Sequence, residues 1–126
     1  MMAFNPAEPL IRTVAMPADA NPAGDIFGGW LMSLMDLAAS SLATRRAQGR
    51  CATVAVDAMT FKKPVLVGDE VSLFGELARV GRTSLQVRVK AYRRARAEET
   101  TELVTEGTFT FVAIDDERKP REVPQS

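Results

Sequence analysis

No histidine occurs in the 126 residues, and Cys51 is the only cysteine. Without an imidazole, the chain cannot run His-based general acid–base chemistry, a Ser-His-Asp or Cys-His nucleophile, or most catalytic zinc sites. One thiol makes neither an intrachain disulfide nor a thiolate zinc cluster, and it fits a reducing cytoplasm. Lacking a histidine to activate it, Cys51 reads as a packing group. Excess charge of one sign is missing too: Lys+Arg and Asp+Glu each number 16. The basic surplus that nucleic-acid binding usually draws on is therefore absent, and no nucleic-acid partner is expected. Long apolar runs are also lacking. The most hydrophobic stretch, Phe27–Ala43, contains Gly28, Gly29, three serines and Asp36, short of the ~20 apolar residues a spanning helix needs. The opening MMAFNPAEPL has neither the basic start nor the apolar run of a signal peptide. A soluble cytoplasmic protein without membrane contact is expected.

What is present suits one folded domain over residues 1–126: 46% hydrophobic residues for a core and 25% charged residues for a surface. Pro9–Met16 is rich in β-branched and apolar residues and reads as a short strand ended by Pro17. Ala18–Asp25 (ADANPAGD) is loop-like, with Asp25 placed to cap the next element. From Ile26 to about Arg46 the pattern is helical. Leu31, Met32, Leu34, Met35, Leu37, Ala38, Ala39, Leu42 and Ala43 surround its whole circumference, which predicts burial on all sides. Arg45, Arg46 and Arg50 suit the negative end of its dipole, and Gly49 a C-cap.

The rest reads as strands: Cys51–Phe61, Glu70–Arg79, an alternating segment with Leu85, Val87, Val89 and Ala91 on one face, and Glu102–Ile114. Gly81 is expected at positive φ in the tight Val80-Gly81-Arg82 connection. Residues 116–126, charged and proline-containing, are expected to form a mobile tail. One helix buried all round by a small sheet requires that the sheet curl about it and that a second subunit cover the open side. This predicts an α+β fold with a curved antiparallel sheet, in a homodimer at minimum.

Asp36 is the chemical anomaly. It lies mid-helix among apolar residues, and three and four positions away stand Met32, Ser33, Ala39 and Ser40, none of them cationic. Burying an ionised carboxylate without a partner is costly. The residue either faces a solvated groove, is paired by an arginine from a strand, or serves as a general base or nucleophile. The Gly28-Gly29 pair at the helix start divides similarly, between tight helix–sheet packing and backbone N–H groups left open to an oxyanion or phosphate. No Lys-Ser/Thr follows, so a nucleotide P-loop is not indicated. Asp36 lies seven residues beyond Gly29, roughly 10 Å along a helix axis, far for one site on one helix. Asn21 can donate and accept hydrogen bonds, although in an Asn-Pro loop its default role is the turn. Lys62, Lys63, Arg82, Arg88 and Lys90 are either phosphate contacts or solvated charges, and Asp57 is equally ambiguous.

Four blocks in order carry a resemblance: RTVAMPADANPAGDIFGGWLMSLMD (Arg12–Asp36), TVAVDAMTFKKPVLVGDEV (Thr53–Val71), VGRTSLQVRV (Val80–Val89) and TFTFVAID (Thr108–Asp115). Together they resemble the YciA-like branch of the acyl-CoA thioesterases, a hotdog-fold family. The resemblance implies a curved antiparallel sheet wrapped around one long central helix, with active sites at a dimer interface and trimers of dimers as the common assembly. It implies hydrolysis of acyl-CoA to a carboxylic acid and coenzyme A without any cofactor or metal, coenzyme A being part of the substrate. Asp36 would be the catalytic carboxylate, acting on water or attacking directly. Asn21 would come from the facing subunit, and Gly28 or Gly29 would polarise the thioester carbonyl. Lys62, Lys63, Arg82, Thr83 and Ser84 would meet the coenzyme A moiety. The rival from another class is a non-catalytic acyl-CoA-binding or sensing hotdog domain, which would bind without releasing thiol.

Overall fold

The computed structural model describes residues 7–125, and for Ala58 the backbone alone. Residues 1–6, which hold part of the segment read for a signal peptide, and Ser126 lie outside them. The order is β1 (Ile11–Val14), a short 3-10 turn (Pro17–Asp19), α1 (Gly28–Ala47), β2 (Cys51–Phe61), β3 (Glu70–Val80), β4 (Ser84–Arg94) and β5 (Thr101–Ala113). The strands form one sheet in the order β1-β3-β4-β5-β2, every pair antiparallel. The expected strands are all present, with ends shifted by a residue or two except for β1, which is trimmed to four residues.

The β4 alternation lands as its period predicts. Leu85, Val87, Val89 and Ala91 are buried, and with Val71 and Leu73 of β3 and Phe109 and Phe111 of β5 they make the concave face. Against this face α1 lays Leu31, Met35, Ala38, Ala39, Leu42, Ala43 and Ala47. Alanines at four of these seven positions let the helix axis approach the sheet, while Phe109 and Phe111 fill the space between. The result is the hotdog arrangement of one helix held in a curled sheet.

The helix is not buried on all sides within the chain. Met32 is 37% and Leu37 60% exposed, and the neighbouring edge strand β2 exposes Val54 and Val56. One sheet can cover one stripe of a helix, so the opposite apolar side stays open. Helix onset also differs from expectation. Asp25 does not cap; it is held in a bridge to Leu66, and Ile26 and Phe27 donate their N–H groups to Val65 and Asp19. These extended contacts delay the helix to Gly28, with Phe27 at the N-cap and no side chain capping it. At the other end Gln48, in the left-handed region, is the C-cap, and Gly49 follows it.

Two further expectations are corrected. Gly81 does not adopt positive φ; a Cβ there would instead meet Ser84 Oγ at 3.0 Å, so a close approach selects the glycine. Residues 116–125 are docked rather than loose. Val123 is 2% exposed, Ile114 bridges to Pro120, and Arg121 donates from Nη1 to the Ala47 carbonyl (3.0 Å) and from Nε to that of Ile114 (3.1 Å). The Arg121 guanidinium thereby satisfies one of the carbonyls that the end of α1 leaves open.

Candidate active site

Asp36 is half-buried near the middle of α1, on the side turned to β2. Its Oδ1 accepts a hydrogen bond of 2.7 Å from the Thr53 hydroxyl, and among the described residues no cation pairs with it. The predicted arginine partner is therefore not there. The groove reading and the chemical reading describe the same place: a carboxylate at the open apolar face, oriented by one hydroxyl. β2 breaks register with β5 between Thr53 and Ala55, an irregularity of the kind that re-aims side chains beside functional sites. Thr53 escaped the sequence reading because a threonine in a strand is ordinary and nothing in spacing links it to Asp36.

Gly28 and Gly29 occupy the first turn of α1, and their N–H groups have no acceptor among the described residues. The reason for each glycine differs. A Cβ on Gly28 would touch the Phe61 ring at 3.4 Å, whereas one on Gly29 would meet nothing within 4 Å. Gly28 lines a cleft of about 330 Å³ with Phe27, Leu31, Phe61, Lys62, Lys63 and Val65. The structure thus brings the lysine pair to the helix N-terminus. Lys63 is engaged by Glu102 at 3.1 Å, leaving Lys62 as the lysine without an ion-pair partner among the described residues.

Asn21 serves its turn. Its Oδ1 accepts from the N–H groups of Ala23 (2.9 Å) and Asp25 (3.1 Å), which fixes the amide so that Nδ2 points away with no acceptor among the described residues. The turn role and an exposed donor coexist. Arg82, Thr83 and Ser84 lie elsewhere, at the β3–β4 turn. Ser84 pairs with Val112 and Phe61 with Thr105, seven residues apart along β5, which is roughly 23 Å at strand rise. One chain therefore does not bring the two basic segments together. Arg88 and Lys90 are on the outer sheet face, in a concavity of about 400 Å³ with Arg12, Phe74, Glu76 and Tyr92. There Arg88 pairs with Glu76 at 3.4 Å and Arg12 approaches Glu70 at 3.7 Å, as on a solvated surface. Asp57 is exposed on β2.

A polar network supports the cleft wall. Arg93 contacts Asp69 at 2.8 Å and Glu102 at 3.1 Å, and Asp69, 4% exposed, also accepts the Leu66 N–H. The hydrogen bond to Asp69 raises the Arg93 pKa further. The Lys63 hydrogen bond, then its charge, hold the Glu102 carboxyl below its ordinary range. Burial pushes the Cys51 thiol up, opposed by the charge of Arg121, in keeping with an inert packing role. No group of three or more His, Cys, Asp or Glu is placed to hold a metal among the described residues. No helix among them is long and apolar enough to cross a membrane.

A single helix in a curled antiparallel sheet, with an oriented carboxylate on its open side and free N–H groups at its start, defines a hotdog protein equipped for acyl chemistry. Residues 23–100 match the family profile described as the thioesterase superfamily. An uncharacterised acyl-CoA thioester hydrolase of Zymomonas mobilis is 52% identical over 117 residues, covering 93% of this chain and 78% of that protein. The acyl-CoA thioester hydrolase YciA of Escherichia coli is 45% identical over 118 residues, covering 91% of this chain and 89% of that protein. A hexameric hotdog fold thioesterase of Campylobacter jejuni superposes with a TM-score of 0.89 at 34% identity, over 97% of this chain and 94% of that one. The chain belongs to the thioesterase superfamily, among relatives of the YciA kind.

Proposed function

We propose that the protein hydrolyses acyl-CoA thioesters, releasing a carboxylic acid and coenzyme A, in sites formed between subunits. The observation that carries this is Asp36, a carboxylate without a cationic partner, hydrogen-bonded by Thr53 on the open apolar side of the helix. With Oδ1 oriented by Thr53, Oδ2 is left to take a proton from water as that water attacks the thioester carbon. The tetrahedral oxyanion is received by N–H groups at Gly28 and Gly29, at the positive end of α1. Collapse expels the coenzyme A thiolate, a leaving group that needs little acid assistance, so the lack of histidine is no obstacle. Asn21, from the facing subunit, offers Nδ2 to the carbonyl or the water. Carboxylate, backbone amides and water suffice, and the reading calls for no cofactor.

The exposed side of α1 and the free edge of β2 are the surface for a homodimer, and the hexameric state of the relative from Campylobacter jejuni favours a trimer of dimers. Antiparallel pairing of β2 with its twofold mate would bring the 82–84 turn of one subunit toward the partner's Lys62 and Gly28. It thereby unites the two basic segments that one chain keeps apart. A cytoplasmic setting, where acyl-CoA is made and used, goes with this reading.

The test is Asp36→Asn, assayed by free-thiol release from short, long and aromatic acyl-CoAs. Turnover should fall by a factor of at least about 100, in the range for loss of a general base, with binding retained. Near-wild-type turnover refutes the assignment. Acyl-CoA binding without thiol release by the unmodified protein would establish the sensing alternative instead.

A further inference from the structure

The docked C-terminal segment does more than cover the core. It reaches two places at once: the end of α1 and the turn at Gly81–Ser84. At the helix end, Arg121 takes the Ala47 carbonyl, and Arg46 donates to the carbonyl of Pro124. At the turn, Val123 N–H donates to the Arg82 carbonyl at 2.8 Å and Gln125 Nε2 to that of Gly81 at 3.3 Å. The Val123 side chain is 2% exposed, which anchors the segment between the two. The turn has little else to fix it: its own Gly81 N–H to Ser84 carbonyl bond, and Ala113 N–H on the Thr83 carbonyl. Among the described residues the Arg82 side chain has one ion-pair partner, Glu122, at 3.6 Å and largely in water, so it stays available to an incoming anion while its backbone is held.

From this geometry we infer that residues 121–125 form a strap that sets the posture of the Gly81–Ser84 turn, and so tunes binding of the nucleotide end of a coenzyme A thioester. The inference rests on the proposed role of Arg82, Thr83 and Ser84. Val123 and Gln125 are positioning residues: they act through the backbone of the turn and do not touch substrate. A carbonyl released from Val123 lets the turn sample other conformations, and binding weakens in proportion to the population lost. The thioester end of the substrate, at Asp36 and the helix N-terminus, is not reached by the strap.

The experiment compares two substrates, an acyl-CoA and the same acyl group on N-acetylcysteamine, which lacks the nucleotide. Val123→Pro removes the N–H while keeping apolar bulk; Gln125→Ala removes the second bond at an exposed position and leaves folding intact. Val123→Pro should raise KM for the acyl-CoA by about tenfold and Gln125→Ala by about twofold. Both should leave kcat, and the kcat/KM of the short thioester, unchanged. Equal losses on both substrates, or no change in KM for the acyl-CoA in either variant, overturn the inference. Arg82→Ala separates the two claims. If it raises KM while the strap variants do not, the strap alone is wrong; if it leaves KM unchanged, the role of the turn and the strap fall together.

Discussion

Replacing Thr53 with valine tests whether the Thr53–Asp36 hydrogen bond is part of the chemistry. The two side chains have nearly the same shape, and valine is at least as good a strand former, so the change removes one hydroxyl from edge strand β2 and little else. That hydroxyl donates to Asp36 Oδ1 at 2.7 Å, an ordinary O–H···O distance. Hydrogen bonds to charged groups are worth about 1.5–3 kcal/mol. Expressed fully in the transition state, this range corresponds to about 10- to 150-fold in rate. Both residues are partly open to water in the single chain, which argues for the lower end, about tenfold. The loss should fall on kcat, because a carboxylate that is no longer oriented misplaces the attacking water without altering the grip on coenzyme A. Thr53→Ser, which keeps the donor, should recover most of the rate. The assay is steady-state thiol release, with a thermal melt to show that each variant is folded. Wild-type kcat in Thr53→Val, or failure of serine to rescue, would refute the reasoning.

Three further outcomes are expected. Gly29→Ala should separate stability from activity. Its Cβ would meet nothing within 4 Å among the described residues, and alanine is the better helix former by up to about 1 kcal/mol, so the melting temperature should hold or rise. Thiol release should nevertheless drop, because the methyl group crowds the carbonyl proposed to lie there. Arg93→Leu should lower stability in urea by about 3 kcal/mol, since it strands Asp69, 4% exposed, without a cation. Glu102 is held below its ordinary pKa by Lys63, so its contribution is present above the unfolded-state value and is lost as pH falls through the folded one. Glu102→Gln should accordingly flatten the decline in stability between about pH 3 and pH 6, which a urea-melt series can measure.

The sheet was readable because β4 has a clean period of two and its neighbours are bounded by glycine and proline. The helix was readable in its position, and its all-round apolar character divides in the structure: a stripe against the sheet, with Met32 and Leu37 left exposed. What composition could not show were interactions made at a distance. The tail looked solvated by its charges, yet Arg121 donates to the Ala47 carbonyl at the helix end, 74 residues away in sequence. Thr53 and Asp36 are 17 residues apart on different elements, and they meet beside a register break in β2. Lys62 and Lys63 looked equivalent as neighbours; Glu102, reached through the β2–β5 pairing, makes them different.

The distances along β2 bear on why a site of this kind should lie between subunits. Thr53 marks the level of Asp36 on the strand, and Phe61, against Gly28, marks the level of the helix N-terminus. Within one chain these levels are six residues apart on the paired strand β5, from Phe111 to Thr105, roughly 20 Å, while the helix itself separates Gly29 from Asp36 by roughly 10 Å. A twofold axis through the middle of β2, at Val56, would set the partner's Phe61 opposite Cys51. It then stands two residues from Thr53, about 7 Å along the strand. The partner's helix N-terminus thus comes nearer to the strand level of Asp36 than the chain's own. The same rotation would turn Leu37, Val54 and Val56, exposed apolar groups of the open face, toward the partner. In the proposed dimer, burial that removes this face from water would also be the step that joins the carboxylate to the oxyanion donors proposed for it. On the proposed reading, a single chain would hold the halves of two sites and the whole of neither.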